Sequence, residues 1–201
     1  PKKIEGHYKY TIVSAVYNVG RYLDEYIESV TKQHLDFEKH LHLILVDDGS
    51  TDNSAAIIKR WQRKHPNNIQ YLYKENGGQA SARNLGMQHV KTEWVTFADP
   101  DDILDLDYFH QVDIFAHKQK SNDIAMLCNN FIFYFDDQGV YKDTHPLKYR
   151  FKNGNAVYPV NEMGKNMQLA VNSAIFKSEV ILDNSIVFDD RVKPNFEDAH
   201  F

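Results

Sequence analysis

The chain has 201 residues, with 23 Lys plus Arg against 28 Asp plus Glu and a formal net charge of −5. Hydrophobic residues make up 42% and charged residues 25%, which suits a folded domain and excludes a wholly disordered chain. The negative balance, concentrated in residues 101–201, argues against a protein that holds nucleic acid by neutralising phosphates.

Residues 1–9 read as an N-terminal extension. Residues 10–16 are short, apolar and β-branched, and predict a buried strand closed by a turn at Asn18-Val19-Gly20. Leu23, Ile27 and Val30 recur at helical spacing within 21–33. Residues 42–46 predict a second buried strand, ending in Asp47-Asp48-Gly49-Ser50-Thr51-Asp52, a loop that also carries helix N-cap residue types. The next helix, 54–64, places Ile57, Ile58 and Trp61 on one side and stops at His65-Pro66-Asn67-Asn68. A third strand is expected over 69–73, a loop at Asn76-Gly77-Gly78, and a helix over 80–90. A fourth strand, 93–98, ends at Asp99-Pro100-Asp101-Asp102 and precedes a helix over 107–119.

This β-α alternation over about the first 120 residues calls for a mainly parallel sheet covered by helices on both faces. Ligands of such sheets bind at the C-terminal strand ends, where the polar clusters fall. After residue 120 the texture changes. Residues 124–135 are apolar and aromatic and include the single cysteine, Cys128, which reads as a buried inert thiol. One cysteine excludes an internal disulfide and a cysteine-built zinc site. Asp136-Asp137-Gln138-Gly139 predicts a hairpin turn returning through Val140-Tyr141. Residues 144–166 are polar and irregular, and 167–176 read as a strand or short helix. No apolar run approaches the roughly 20 residues that span a bilayer.

Four clusters carry chemistry. Asp99, Asp101 and Asp102 at a strand end suit a hard divalent cation, which relieves their repulsion; an acidic helix start is the other reading. Asp47-Asp48 offers acceptors to a base N–H or a ribose hydroxyl, or serves a turn and a cap. In Asn76-Gly77-Gly78-Gln79-Ala80-Ser81-Ala82-Arg83-Asn84-Leu85-Gly86, Gly77 permits close backbone approach and Arg83 adds a charge for a diphosphate or a sugar hydroxyl, or stands as a solvated helical arginine. Glu197-Asp198, flanked by Phe196 and Phe201, suits a desolvated general base or a surface acid pair. Neither G-x-G-x-x-G nor a Walker A sequence occurs. His40 and His42 open a strand and read as structural.

Taken in order, these clusters resemble glycosyltransferase family 2, from about Tyr10 to Phe201. Thr-Ile-Val-Ser-Ala-Val-Tyr-Asn is similar to the family's first strand, with Ala15 where proline is usual. Val-Asp-Asp-Gly-Ser-Thr-Asp-Asn-Ser at 46–54 and the stretch 76–86 match closely. Asp99-Pro100-Asp101 is similar to the D-x-D metal motif, and Phe196-Glu197-Asp198 to the late Glu-Asp motif.

The resemblance implies a GT-A, Rossmann-like α/β fold. Residues 10–120 would form a nucleotide-sugar-binding half. Residues 121–201 would form an acceptor-binding and catalytic half, cut from a longer chain with further domains. Ala15 and Tyr17 would line the base, with Tyr17 stacking on it. Asp48 would bond to the base and Asp47 support its loop. Gly77 and Arg83 would meet sugar or phosphate. Asp99 and Asp101 would hold Mn²⁺ or Mg²⁺ and the ribose or diphosphate, with Asp101 the direct ligand, and Asp102 would reach the donor sugar. Asp198 would be the catalytic base and Glu197 its neighbour at the acceptor. The implied donor is a UDP-sugar and the acceptor a glycan, lipid-linked sugar or polymer, with no nucleic acid. The implied place is the cytoplasm, at or near the inner face of the membrane. The rival readings are a nucleotidyltransferase, for which the first loop lacks a basic glycine-rich stretch, and a non-catalytic scaffold domain.

Overall fold

The repeating unit of the chain is a buried strand followed by an amphipathic helix. The computed structural model describes residues 8–118, 124–129, 133–135, 139–142, 156–159 and 170–191. Its strands β1 (Tyr10–Val16), β2 (Leu41–Asp48), β3 (Ile69–Lys74) and β4 (Trp94–Phe97) are interleaved with α1 (Gly20–Thr31), the short α2 (Phe37–His40), α3 (Ser54–Lys64) and α4 (Gln79–Met87). Then follow α5 (Tyr108–Lys118), β5 (Met126–Cys128), β6 (Phe133–Phe135), β7 (Val140–Lys142), β8 (Ala174–Lys177) and α6 (Ser178–Asp183).

The main sheet has six strands in the order β3-β2-β1-β4-β8-β5. The first four are mutually parallel, and β8 runs antiparallel to both β4 and β5. The sheet is therefore mainly parallel with helices packed on it, as the alternation requires. The return of β8 to a place beside β4 has no counterpart in the local pattern.

Double-sided burial explains the apolar runs. Leu43, Ile44, Leu45 and Val46 of β2 have no exposed surface. Leu43 and Leu45 face a core with Leu23, Ile27 and Val30 of α1 and Ile57 and Ile58 of α3. Ile44 and Val46 face the other core, with Ala80, Ala82 and Met87 of α4. Each such side chain contributes roughly 1.5–3 kcal/mol when fully buried. Helix α4 lies very close to the sheet at Gly86, where an added Cβ would stand 2.4 Å from Val13 Cγ1.

Phe135 pairs with Val140 in a separate two-stranded sheet, which agrees with the expected hairpin. The stretch read as a strand or short helix holds a 3₁₀ turn, Val171–Ser173, leading into β8. Cys128 is half-buried, not fully enclosed, because β5 is the outermost strand of the sheet. Most of 144–166, together with Glu197 and Asp198, lies outside the described residues. Among the described residues no helix is long and apolar enough to cross a membrane.

Candidate functional site

Parallel strands bring their C-terminal ends to one edge of the sheet, so the polar loops meet there. The loops after β1 and β2 are stitched together. Asn18, at φ 53°, accepts the Thr51 N–H at 2.8 Å and the Asp52 N–H at 3.2 Å through Oδ1. Asp52 accepts the Gly20 N–H at 2.9 Å and the Ser54 N–H at 2.9 Å. These bonds satisfy the first N–H groups of α1 and α3, which have no partner within their own helices. Much of the 46–54 motif is thus turn and cap chemistry.

Asp47 is buried; its Oδ1 accepts the Ser50 N–H at 2.8 Å and its Oδ2 the Tyr71 hydroxyl at 3.0 Å. Asp48, also buried, reaches the next loop. Its Oδ1 accepts from Lys74 Nζ at 2.6 Å and the Gly77 N–H at 3.0 Å, and its Oδ2 accepts the Gly78 N–H at 2.8 Å. A carboxylate has about four acceptor positions, so Oδ2 keeps one. Gly78 adopts φ 89°, ψ 163°, a region open essentially to glycine alone. Lys74 was not singled out in the sequence; its register opposite Asp48 on β3 is the only signal that could have found it.

Asp99, just past β4, collects three donors. Arg83 Nη2 and Gln79 Nε2 each lie 3.0 Å from its Oδ1, and Asn172 Nδ2 lies 3.3 Å from its Oδ2. Arg83 is buried, and its guanidinium stacks over the Phe188 ring at 5.2 Å. The solvated-arginine reading is therefore set aside. Gln79 and Asn172 are the other residues that the sequence reading missed. Asn172 sits far along the chain in an unremarkable stretch, and only the antiparallel pairing of β8 with β4 brings it here.

Asp101 and Asp102 are exposed, and among the described residues neither carboxylate has a hydrogen-bond or ion-pair partner. The Asp102 carboxyl is pushed up to about 6, first by the protein atoms around it and then by the charges of Asp99 and Asp101. The residue keeps an exposed surface, so water screens part of that shift. Unpaired, mutually repelling carboxylates fit a hard divalent cation. No group of three His, Cys, Asp or Glu side chains among the described residues forms a ready-made cage, so oxygens of a ligand would have to complete the coordination.

Of the remaining expected residues, Ala15 is half-buried in β1, Tyr17 is 51% exposed just beyond it, and Gly77 is exposed in the loop after β3. The structure thus gathers Ala15, Tyr17, Asp47, Asp48, Gly77, Arg83, Asp99, Asp101 and Asp102 along one sheet edge.

Acids at these strand ends lie where open α/β sheets bind their ligands. The family model for glycosyl transferase family 2 matches residues 11–177, and the chain belongs to that family. It is 31% identical over 195 residues to the minor teichoic acid biosynthesis protein GgaA of Bacillus subtilis, covering 96% of this chain and 42% of that protein. It is 41% identical over 115 residues to GgaB of the same organism, covering 57% of this chain and 13% of that one. A crystal structure of Staphylococcus aureus TarS residues 1–349 in complex with UDP shares the fold, with a TM-score of 0.75 and 23% identity over 95% of this chain and 53% of that one. The chain spans less than half the length of these two curated relatives.

Proposed function

We propose that this chain carries the donor-binding part of an inverting glycosyltransferase. The donor is a nucleoside-diphosphate sugar, UDP-linked in the first place, and the acceptor a hydroxyl of a cell-envelope polymer. The observation that carries this reading is the meeting of Asp48, Arg83, Asp99 and the free acids Asp101 and Asp102 at one sheet edge in a family 2 chain. The UDP complex of the TarS structure supports uridine, and the names of the GgaA and GgaB relatives support a teichoic-acid-type acceptor.

In this reading Tyr17 stacks on the base and the remaining Oδ2 position of Asp48 accepts a base N–H. Arg83, held by Asp99, meets the diphosphate or the sugar. Asp101, with Asp99 and Asp102 near, would hold Mn²⁺ or Mg²⁺. The bound ion supplies positive charge for the leaving group. Asp198 takes the proton of the acceptor hydroxyl as its oxygen bonds to the anomeric carbon from the side opposite the leaving group. The bond from that carbon to the diphosphate breaks, and the nucleoside diphosphate departs. Glu197 helps place the acceptor.

The test is calorimetric titration of UDP and GDP into wild type and Asp101→Ala, with Mn²⁺ and with EDTA. Metal-dependent UDP binding that Asp101→Ala loses is the expected result. Absence of nucleotide binding under every condition overturns the reading. Transfer that survives Asp198→Asn removes the assigned base.

A further inference from the structure

Among the described residues, Asn172 holds a buried polar atom without a partner. Its side chain comes from the 3₁₀ turn before β8. Because β8 runs antiparallel to β4, with Thr96 opposite Ile175, the beginning of β8 lies beside the end of β4. The Thr96 hydroxyl donates to the Ala174 carbonyl at 2.7 Å, and the Asn129 N–H donates to the Ser173 carbonyl at 3.0 Å, so the turn is fixed on two sides.

Asn172 Nδ2 donates to Asp99 Oδ2 at 3.3 Å. Its Oδ1 is buried and has no hydrogen-bond partner among the described residues. The orientation of the amide follows from chemistry. Asp99 already accepts from Arg83 and Gln79, so it is an acceptor-only carboxylate and the amide must offer it the NH₂ group. The carbonyl oxygen is then forced to the other side. A buried acceptor without a donor is costly, and such atoms in native structures call for a reason. The residue as a whole is only half-buried, and the terminal torsion of asparagine is broad, so Oδ1 is not locked in its buried position.

The geometry points to Asn172 as a donor-recognition residue, whose Oδ1 accepts a hydrogen bond from a hydroxyl of the bound sugar nucleotide. This rests on the donor-site reading above. The hydroxyl belongs either to the ribose or to the transferred sugar, and both present the same O–H to the same acceptor. An amide anchored on Asp99 through Nδ2 needs only a small turn to offer Oδ1, and loses little freedom on binding.

The experiment compares wild type with Asn172→Ala in calorimetric titrations of UDP, 2′-deoxy-UDP and UDP-GlcNAc with Mn²⁺, alongside thermal melting. Asn172→Ala is expected to weaken UDP-GlcNAc about three- to tenfold, the worth of one neutral hydrogen bond, with no fall in melting temperature. A purely structural asparagine would lower the melting temperature and leave affinity alone, which overturns the inference. Equal weakening of UDP and UDP-GlcNAc, absent for 2′-deoxy-UDP, supports the ribose hydroxyl. Weakening of UDP-GlcNAc alone supports the transferred sugar. Unchanged affinity of all three for Asn172→Ala overturns the inference while leaving the donor site standing. Wild type that binds none of them overturns the donor-site reading itself.

Discussion

Lys74 Nζ lies 2.6 Å from Asp48 Oδ1, and the same carboxylate accepts the N–H groups of Gly77 and Gly78. One buried acid at the end of β2 therefore shapes the glycine loop after β3. Removing it leaves two backbone donors without their acceptor and the part-buried Lys74 ammonium, which still donates to the Glu75 carbonyl, without its counter-charge. Asp48→Ala is expected to cost about 3 kcal/mol, the lower end for breaking a buried pair. For a chain of this size that is a fall of roughly 6–12 °C in melting temperature. Asp48→Asn keeps one acceptor oxygen and should lose less. A melting temperature for Asp48→Ala equal to wild type would show that the loop is held by something else.

Helix α4 owes its closeness to the sheet to Gly86. An added Cβ would meet Val13 Cγ1 at 2.4 Å and Val46 Cγ2 at 3.3 Å, both in the core. Alanine is the better helix former in the abstract, yet here it must push α4 away from β1 and β2. Gly86→Ala is expected to destabilise by about 1–3 kcal/mol, as other overpacked cores do. Since Gln79 and Arg83 ride on the same helix, nucleotide affinity should fall with it. Urea unfolding read by tryptophan fluorescence gives the first quantity and calorimetry the second.

The parallel sheet was legible because β2, with Leu43-Ile44-Leu45-Val46, and β4, Trp94-Val95-Thr96-Phe97, are short buried runs that double-sided burial explains. The acids at the strand ends were legible for the same reason, since the runs end on them. Lys74, Gln79 and Asn172 were not. Each is a common residue in an ordinary local setting, and each reaches the site through pairing between strands or helices distant in sequence. The turn function of Asp52 and Ser54 was half legible. Their residue types announced caps, but the partner loop at Asn18 to Gly20 is more than thirty residues away.

Among the described residues Arg83 makes two unlike contacts, with Asp99 at 3.0 Å and the Phe188 ring at 5.2 Å. A planar guanidinium serves both; an ammonium serves one at a time. Arg83→Lys is thus not a conservative change. It is expected to lower kcat/KM for sugar transfer about a hundredfold, on the scale of losing one donor to a developing negative charge. Gln79 and Asn172 still hold Asp99, so folding should be disturbed far less than catalysis. Near-wild-type transfer by Arg83→Lys would limit the role to a point charge.

His42 gives the fold a pH dependence. It sits in β2 with its ring stacked on Tyr8 at 5.7 Å, and its pKa is pushed down to about 4, by burial first and then by the charges of Lys91 and His89. An unfolded histidine titrates near pH 6.5, roughly. Between those values the unfolded chain binds a proton that the folded chain refuses, so stability is complete above about pH 6.5 and is lost as the pH falls toward 4. Partial exposure of the ring reduces the effect, which leaves about 1–2 kcal/mol between pH 7.5 and pH 5. Replacing the group with His42→Val should remove that share of the slope while keeping a β-branched residue in the strand. Urea midpoints of both proteins at the two pH values decide the matter. Parallel losses in wild type and variant would assign the acid sensitivity to other groups.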